Sequence, residues 1–272
     1  MAWTHYRLKF RLLSPLHVGY RKVSNLMQTR RYVPGKNLWA ALTARITRDE
    51  YDGSRGSAYQ CIGDLVRQHV CCGYLWPSLD GREPYLPWKH DDFDYLLLDS
   101  YAGTALDYDR AAALDGSLRE TEFIAPTARD DGRRPVYLLG NLWVREALPA
   151  DLSAWKKALQ RLQLGGERGY GWGRMQLETD LSLPGKPSEP THVVRAGETI
   201  TAHTLAVDTN GAKAVPHIEG ALEPITGWER DNSASGRTWR LASAVITYMP
   251  GARVQRDVHI RVGPLGIWEA AA

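Results

Sequence analysis

The residues best suited to chemistry lie in one run, Leu164-Gly165-Gly166-Glu167-Arg168-Gly169-Tyr170-Gly171-Trp172-Gly173-Arg174. Five glycines fall between positions 165 and 173. Glycine accepts positive φ and leaves its backbone N–H uncovered, so such a loop approaches phosphates closely. Arg168 and Arg174 add charge, and Tyr170 and Trp172 offer rings for stacking on bases, worth ~1–3 kcal/mol per base. The run is not a GxxxxGK[ST] phosphate loop. Nor is it a dinucleotide-binding turn, because it follows a helical pattern and precedes a strand pattern, the reverse of that motif. A glycine-rich turn docking a strand on a helix has the same composition, and composition alone does not separate the two readings.

A second run is Ser14-Pro15-Leu16-His17-Val18-Gly19, followed by Arg21, Lys22, Arg30 and Arg31, and then by Tyr32-Val33-Pro34-Gly35-Lys36-Asn37-Leu38-Trp39-Ala40-Ala41-Leu42. Lys36 and Asn37 fall at a helix start, where free N–H groups and the positive dipole end favour anions. His17 reads either as the general base of a ribonuclease or as a hydrogen-bonded turn residue. The absence of a second acid or base at an informative spacing favours the turn. Cys61, His69, Cys71 and Cys72 raise zinc, but there is no CxxC pair and adjacent cysteines rarely share a tetrahedral ion, so a buried thiol patch is expected. Asp91, Asp92 and Asp94 raise Mg²⁺, without further ligands in pattern, and a solvated turn is expected. Neither a metal nor a cofactor is therefore expected.

The elements that must position these residues follow from periodicity. Tyr6, Leu8, Phe10 and Leu12 alternate with His5, Arg7, Lys9 and Arg11, which predicts a first strand with one buried and one basic face. A long loop is expected from Ser14 to Val33. Leu38, Leu42, Arg45 and Ile46 fall on one stripe, so a helix is expected over Lys36–Arg48, with Pro34 just before it. A second helical patch covers Ala58–Val70. Strands are expected at Tyr95–Leu98, Glu120–Ala125 and Val136–Val144. A helix capped by Asp151 or Ser153 carries Trp155, Ala158, Leu159 and Leu162, and a strand over Gly173–Leu181 follows the glycine run. The order suggests a ferredoxin-like α+β sandwich with insertions over residues 1–181. Three prolines within Pro184–Pro190 mark a connection, and residues 182–272 read as a β-rich extension without a good helix.

Charge is unevenly spread over the 272 residues, although the net is only +3. The first 48 residues hold ten Lys or Arg and no acid, residues 80–131 hold thirteen acids against five bases, and 156–176 hold five bases and one acid. A polyanion is drawn to two short stretches rather than to the whole surface. No apolar run approaches the ~18 residues of a membrane span. The opening residues show no signal core and the three cysteines are an odd number, so a cytoplasmic chain is expected, with no membrane partner. Trp228, Trp239 and Trp268 are candidate interface anchors, with core as the default.

Taken in order, SPLHVG, YVPGKNLWAAL and GGERGYGWGR resemble the RAMP (repeat-associated mysterious protein) superfamily of CRISPR systems, over about residues 3 to 180. Members show a Pro-Leu-His-Ile/Val-Gly turn, a Pro-Gly-Ser-Ser-Leu-Arg-Gly-Ala-Leu helix start and a GGxRxxGxG loop. Here Lys36-Asn37 replace the serines and Trp39-Ala40 replace Arg-Gly. The stretch from Ala105 through Ile124 is similar to the family's central segment, where a hairpin projects along guide RNA. The long tail, with Tyr248-Met249-Pro250-Gly251-Ala252, resembles the type III subunit that caps the 5′ handle of the guide RNA.

The resemblance implies a ferredoxin-like (RRM-like) RAMP domain and a non-catalytic crRNA-binding subunit of a type III effector complex in antiviral defence. Its implied partners are the crRNA 5′ handle, the large polymerase-like subunit, backbone RAMP subunits and, indirectly, target RNA. The residues expected on RNA are Arg7, Lys9, Arg11, His17, Arg21, Lys22, Arg30, Arg31, Lys36, Asn37, Gly165, Gly166, Arg168, Gly169, Tyr170, Gly171, Trp172 and Arg174. Two alternatives remain within the family. One is a metal-independent endoribonuclease that processes repeat RNA. The other is a backbone subunit that cuts target RNA with an aspartate, for which Asp107 and Asp109 are the candidates.

Overall fold

The computed structural model describes residues 2–51, 56–183, 185–209, 211–231, 238–241 and 244–271. It is a mixed α+β structure, mostly sheet. In chain order, β1 (Trp3–Leu12) leads into a hairpin, β2 (Gly19–Val23) and β3 (Leu26–Thr29). Helices α1 (Gly35–Glu50) and α2 (Gly56–His69) precede β4 (Val70–Cys72) and β5 (Trp76–Ser78). Then come α3 (Phe93–Leu97), β6 (Leu98–Gly103), the short pair β7 (Leu106–Asp107) and β8 (Ala112–Ala113), and β9 (Arg119–Ile124). β10 (Tyr137–Arg145), α4 (Trp155–Leu159), β11 (Met175–Leu177) and β12 (Lys186–Pro187) complete the first part.

The main sheet runs β11-β1-β10-β4, with β5 also on β10 and β12 also on β1, and every pairing is antiparallel. The period-two pattern of β1 does what it predicts. Leu8, Phe10 and Leu12 point into a core shared with Leu38, Leu42 and Ile46 of α1, Ile62 and Val66 of α2, and Trp155 and Leu159 of α4. Each such burial contributes about 1.5–3 kcal/mol. The opposite face is covered at one end only. There Trp3, Trp143 and Cys71 join Val194, Val254, Ile260 and Trp268 in a second core. Val194, Ile260 and Trp268 belong to a six-stranded sheet ordered 191–194, 258–262, 268–270, 204–205, 245–248 and 222–225, and Val254 to a two-stranded pair of 253–254 with 218–219. Trp268 is thus a core residue, and the side chains of Trp228 and Trp239 lie outside the described part.

Three local expectations are corrected. The long loop from Ser14 holds the β2–β3 hairpin, turned through Ser24 at φ 53 and joined to β9 and β6 in a four-stranded sheet. Tyr95–Leu98 is the end of a helix, and the strand starts at Leu98. The helix near 151–162 is only a single 3-10 turn, Ala150–Leu152, followed by α4. No described helix is long and apolar enough to cross a membrane.

Candidate nucleic-acid interface

β1 ends at Leu12, and the chain turns through Ser14-Pro15 to lie beneath the glycine-rich loop. Leu164 N–H donates to the Gly173 carbonyl at 2.9 Å and closes that loop at its base. Gly173 N–H donates to Pro15 O at 2.7 Å, and Gly166 N–H donates to His17 O at 2.8 Å. Arg174 N–H reaches Ser14 Oγ at 2.9 Å, while the Gln163 amide donates to Trp172 O at 2.8 Å and Arg168 O at 3.1 Å. Glycine is required at two of these positions. Gly165 and Gly173 have φ of 79° and 74°, and a Cβ there would collide with the carbonyl oxygens of His17 and Leu164. The two runs singled out in the sequence are therefore one structure, clamped backbone to backbone.

The clamp presents Arg168, Gly169, Tyr170 and Arg174 to solvent, and Tyr170 is 73% exposed. Arg119 lies over the Tyr170 ring at 5.9 Å. Among the described residues neither Arg168 nor Arg174 has an ion-pair partner. Trp172 is half-buried and turned edge-on to Phe123 at 5.0 Å, so it holds the loop against β9. His17 Nδ1 lies 2.7 Å from Glu122 O, which makes Nδ1 the protonated nitrogen because a carbonyl only accepts. His17 thus stitches the turn to β9.

The cations of the first segment are disposed differently. Arg30 is held by both oxygens of Glu223, at 2.5 and 3.2 Å, and also donates to Tyr32 Oη at 3.1 Å. Arg31 grips Asp94 with two donors, one bond being 2.6 Å. Lys9 pairs with Glu178 at 2.9 Å, and Arg21 Nε donates to Gln28 at 2.6 Å. Arg7, Arg11 and Lys22 are exposed, without an ion-pair partner among the described residues. Arg7 and Lys9 border a cleft of about 500 Å³ with Asn141, Trp143 and Trp268, separate from the glycine loop. Lys36 and Asn37, at the start of α1, border a cleft of about 460 Å³ beside Arg67 and Gly227.

Arg30 belongs to a buried polar network that no local pattern announces. His203 is fully buried, with Nε2 2.8 Å from Glu223 and Nδ1 2.8 Å from Tyr74 Oη. Burial pushes the His203 pKa down, so the ring is neutral: Nε2–H donates to the carboxylate and Nδ1 accepts from the tyrosine. Burial works to raise the Glu223 pKa, but the bonds from His203 and Arg30 outweigh it and hold the carboxyl at about 2. The network ties β3 to the sheet of the C-terminal part.

The remaining candidates resolve structurally. Cys71 and Cys72 are neighbours on β4 and point to opposite faces, into the second and first cores respectively, so they do not converge on one ion. Asp94 is taken by Arg31, and Asp92 accepts from Tyr85 Oη at 2.6 Å. Asp107 accepts from the N–H groups of Asp109 and Arg110 at 3.1 and 3.3 Å, which makes it the turn-former at the β7–β8 tip.

No family model matches the sequence, and no curated protein matches it. Solved structures do match. A chain of the type III-B Cmr-beta complex bound to cognate target RNA and AMPPnP, state 1, aligns at 12% identity and TM-score 0.52, covering 92% of this chain and 86% of that one. A chain of the same complex in the apo state aligns at 11% identity and TM-score 0.41 over 65% of this chain and 98% of that one. A chain of the complex bound to cognate target RNA aligns at 10% and 0.40, over 64% and 96%. At such identity the first likeness is one of fold: nearly the whole chain is folded like a chain of a type III-B Cmr-beta complex.

Proposed function

We propose that this chain is a subunit of a type III CRISPR ribonucleoprotein, that it holds the crRNA without chemistry of its own, and that it caps the 5′ handle beside the large polymerase-like subunit and the backbone subunits. The observation that carries the RNA reading is the clamp. Backbone hydrogen bonds fix Gly165–Gly173 on Ser14–Gly19, and the fixed loop exposes Arg168, Tyr170 and Arg174 beside open glycines. Phosphates need close backbone approach and unspent cations, and single-stranded bases need stacking faces. The fold-level likeness to a chain of a type III-B Cmr-beta complex supports the assembly. The sheet order also supports it. Numbering β1, β4, β10 and β11 in chain order gives 4-1-3-2 with helices on one face, which is consistent with the ferredoxin-like RAMP reading.

The test is RNA capture by the full chain, expressed alone and with its neighbouring subunits, followed by a salt titration of handle-RNA binding. We expect log K to fall by ~0.7 per contacted phosphate per log unit of salt. Arg168→Ala with Arg174→Ala should lower that slope by ~1.4, two contacts' worth. Salt-insensitive binding, or a slope that the double variant leaves unchanged, would count against the clamp. Cleavage of repeat RNA by the purified chain alone would replace this reading with that of an endoribonuclease.

A further inference from the structure

Beside the clamp lies an open cavity of about 350 Å³, bordered by the β2–β3 hairpin, the Pro87-Trp88 segment and the Met249-Pro250 turn. We propose that it receives one unstacked base of the RNA strand; this rests on the RNA-holding reading above and names a subsite within it. The volume sits at the low end of the roughly 300–1,000 Å³ of small-molecule clefts, which suits a single nucleotide and not a duplex.

The lining favours a base over a phosphate. Arg21, Arg30 and Arg31 border the cavity; Arg30 and Arg31 are matched by Glu223 and Asp94, while Arg21 donates to Gln28. A third carboxylate, Glu122, is in the wall, accepting from Thr29 N–H at 2.8 Å. Three arginines thus face three carboxylates, and the charge around the cavity balances instead of favouring an anion. Apolar and aromatic surface comes from Tyr20, which is 39% exposed, and from Trp88, Met249 and Pro250. Trp88 is fixed by the edge of Trp76 at 5.2 Å and by Gly251, which sits too close to its ring for a side chain. Glu122 can take an exocyclic amine of a base. The cavity and the clamp also share a wall, because Glu122 O takes the His17 ring N–H and His17 O takes the Gly166 N–H.

The test uses the full chain with three single-stranded probes: homopolymers of uridine and of adenosine, and an abasic ribose–phosphate oligomer of equal length. Tyr20→Ala should weaken homopolymer binding by ~5- to 150-fold, the loss of one stacked base, and leave the abasic probe unaffected. Photocrosslinks from 4-thiouridine in the uridine probe should map to Tyr20, Trp88 or Met249. Unchanged binding, an equal loss on all three probes, or crosslinks confined to Gly165–Arg174 would overturn the cavity while leaving the clamp in place. Failure of the wild-type chain to bind any of the probes would overturn both.

Discussion

Arg168 and Arg174 stand in solvent beside glycines, whereas Arg30 and Arg31, drawn from the more basic stretch of sequence, each close on a carboxylate of the same chain. Both regions read as RNA sites by composition. The difference is that the acid-free first segment is acid-free only in sequence. Its carboxylates come from far along the chain, Glu223 for Arg30, Asp94 for Arg31 and Glu178 for Lys9. Counting cations therefore overstates the charge offered to a polyanion. The clamp is weaker by count, yet its arginines are unspent.

Breaking the buried side of that comparison should have the largest effect. Glu223→Ala leaves Arg30 and His203 buried without their partner, so we expect a loss of about 3–5 kcal/mol in urea unfolding. The same pair sets a pH dependence. A carboxyl held near 2 against an ordinary 4.5 adds stability that is complete above pH 4.5 and lost as pH falls towards 2. That loss should amount to about 2–3 kcal/mol, and Glu223→Gln should flatten it. On the exposed side, Gly173→Ala forces a side chain into left-handed backbone against Leu164 O, at a cost of at least ~1–3 kcal/mol, with RNA retention falling in parallel. The smallest effect sharpens the comparison most. Arg31→Ala removes a half-exposed surface pair, so stability should change by ~0–1 kcal/mol, and the salt slope of RNA binding should stay as in wild type. A drop in slope equal to that of Arg168→Ala would show that Asp94 yields Arg31 to RNA, and would erase the distinction drawn here.

What the sequence made legible was local. β1 and α1 carried clean periods, because each buries one face along its length. The β2–β3 hairpin was missed because all five residues of β2 are exposed, so no alternation of hydrophobicity marks it. Leu96 and Leu97 read as strand because a five-residue helix is too short to show its period. The glycine run was visible, but not its docking on Ser14–Gly19, some 150 residues earlier. Nor could any spacing rule have found the Arg30–Glu223 contact, which joins residues 193 apart in sequence.

The register of β1 has a consequence for how the chain is made. Its strand partners lie at residues 137–145, 175–177 and 186–187, so it leaves the ribosome well before any of the strands that pair with it. Until then it is an open edge able to pair with another copy. Arg7, Lys9 and Arg11 sit at every second position of that edge and act as gatekeepers against such pairing. Replacing all three with serine should raise aggregation during refolding more than it lowers stability. Whatever these cations contribute to RNA, they first serve the nascent chain.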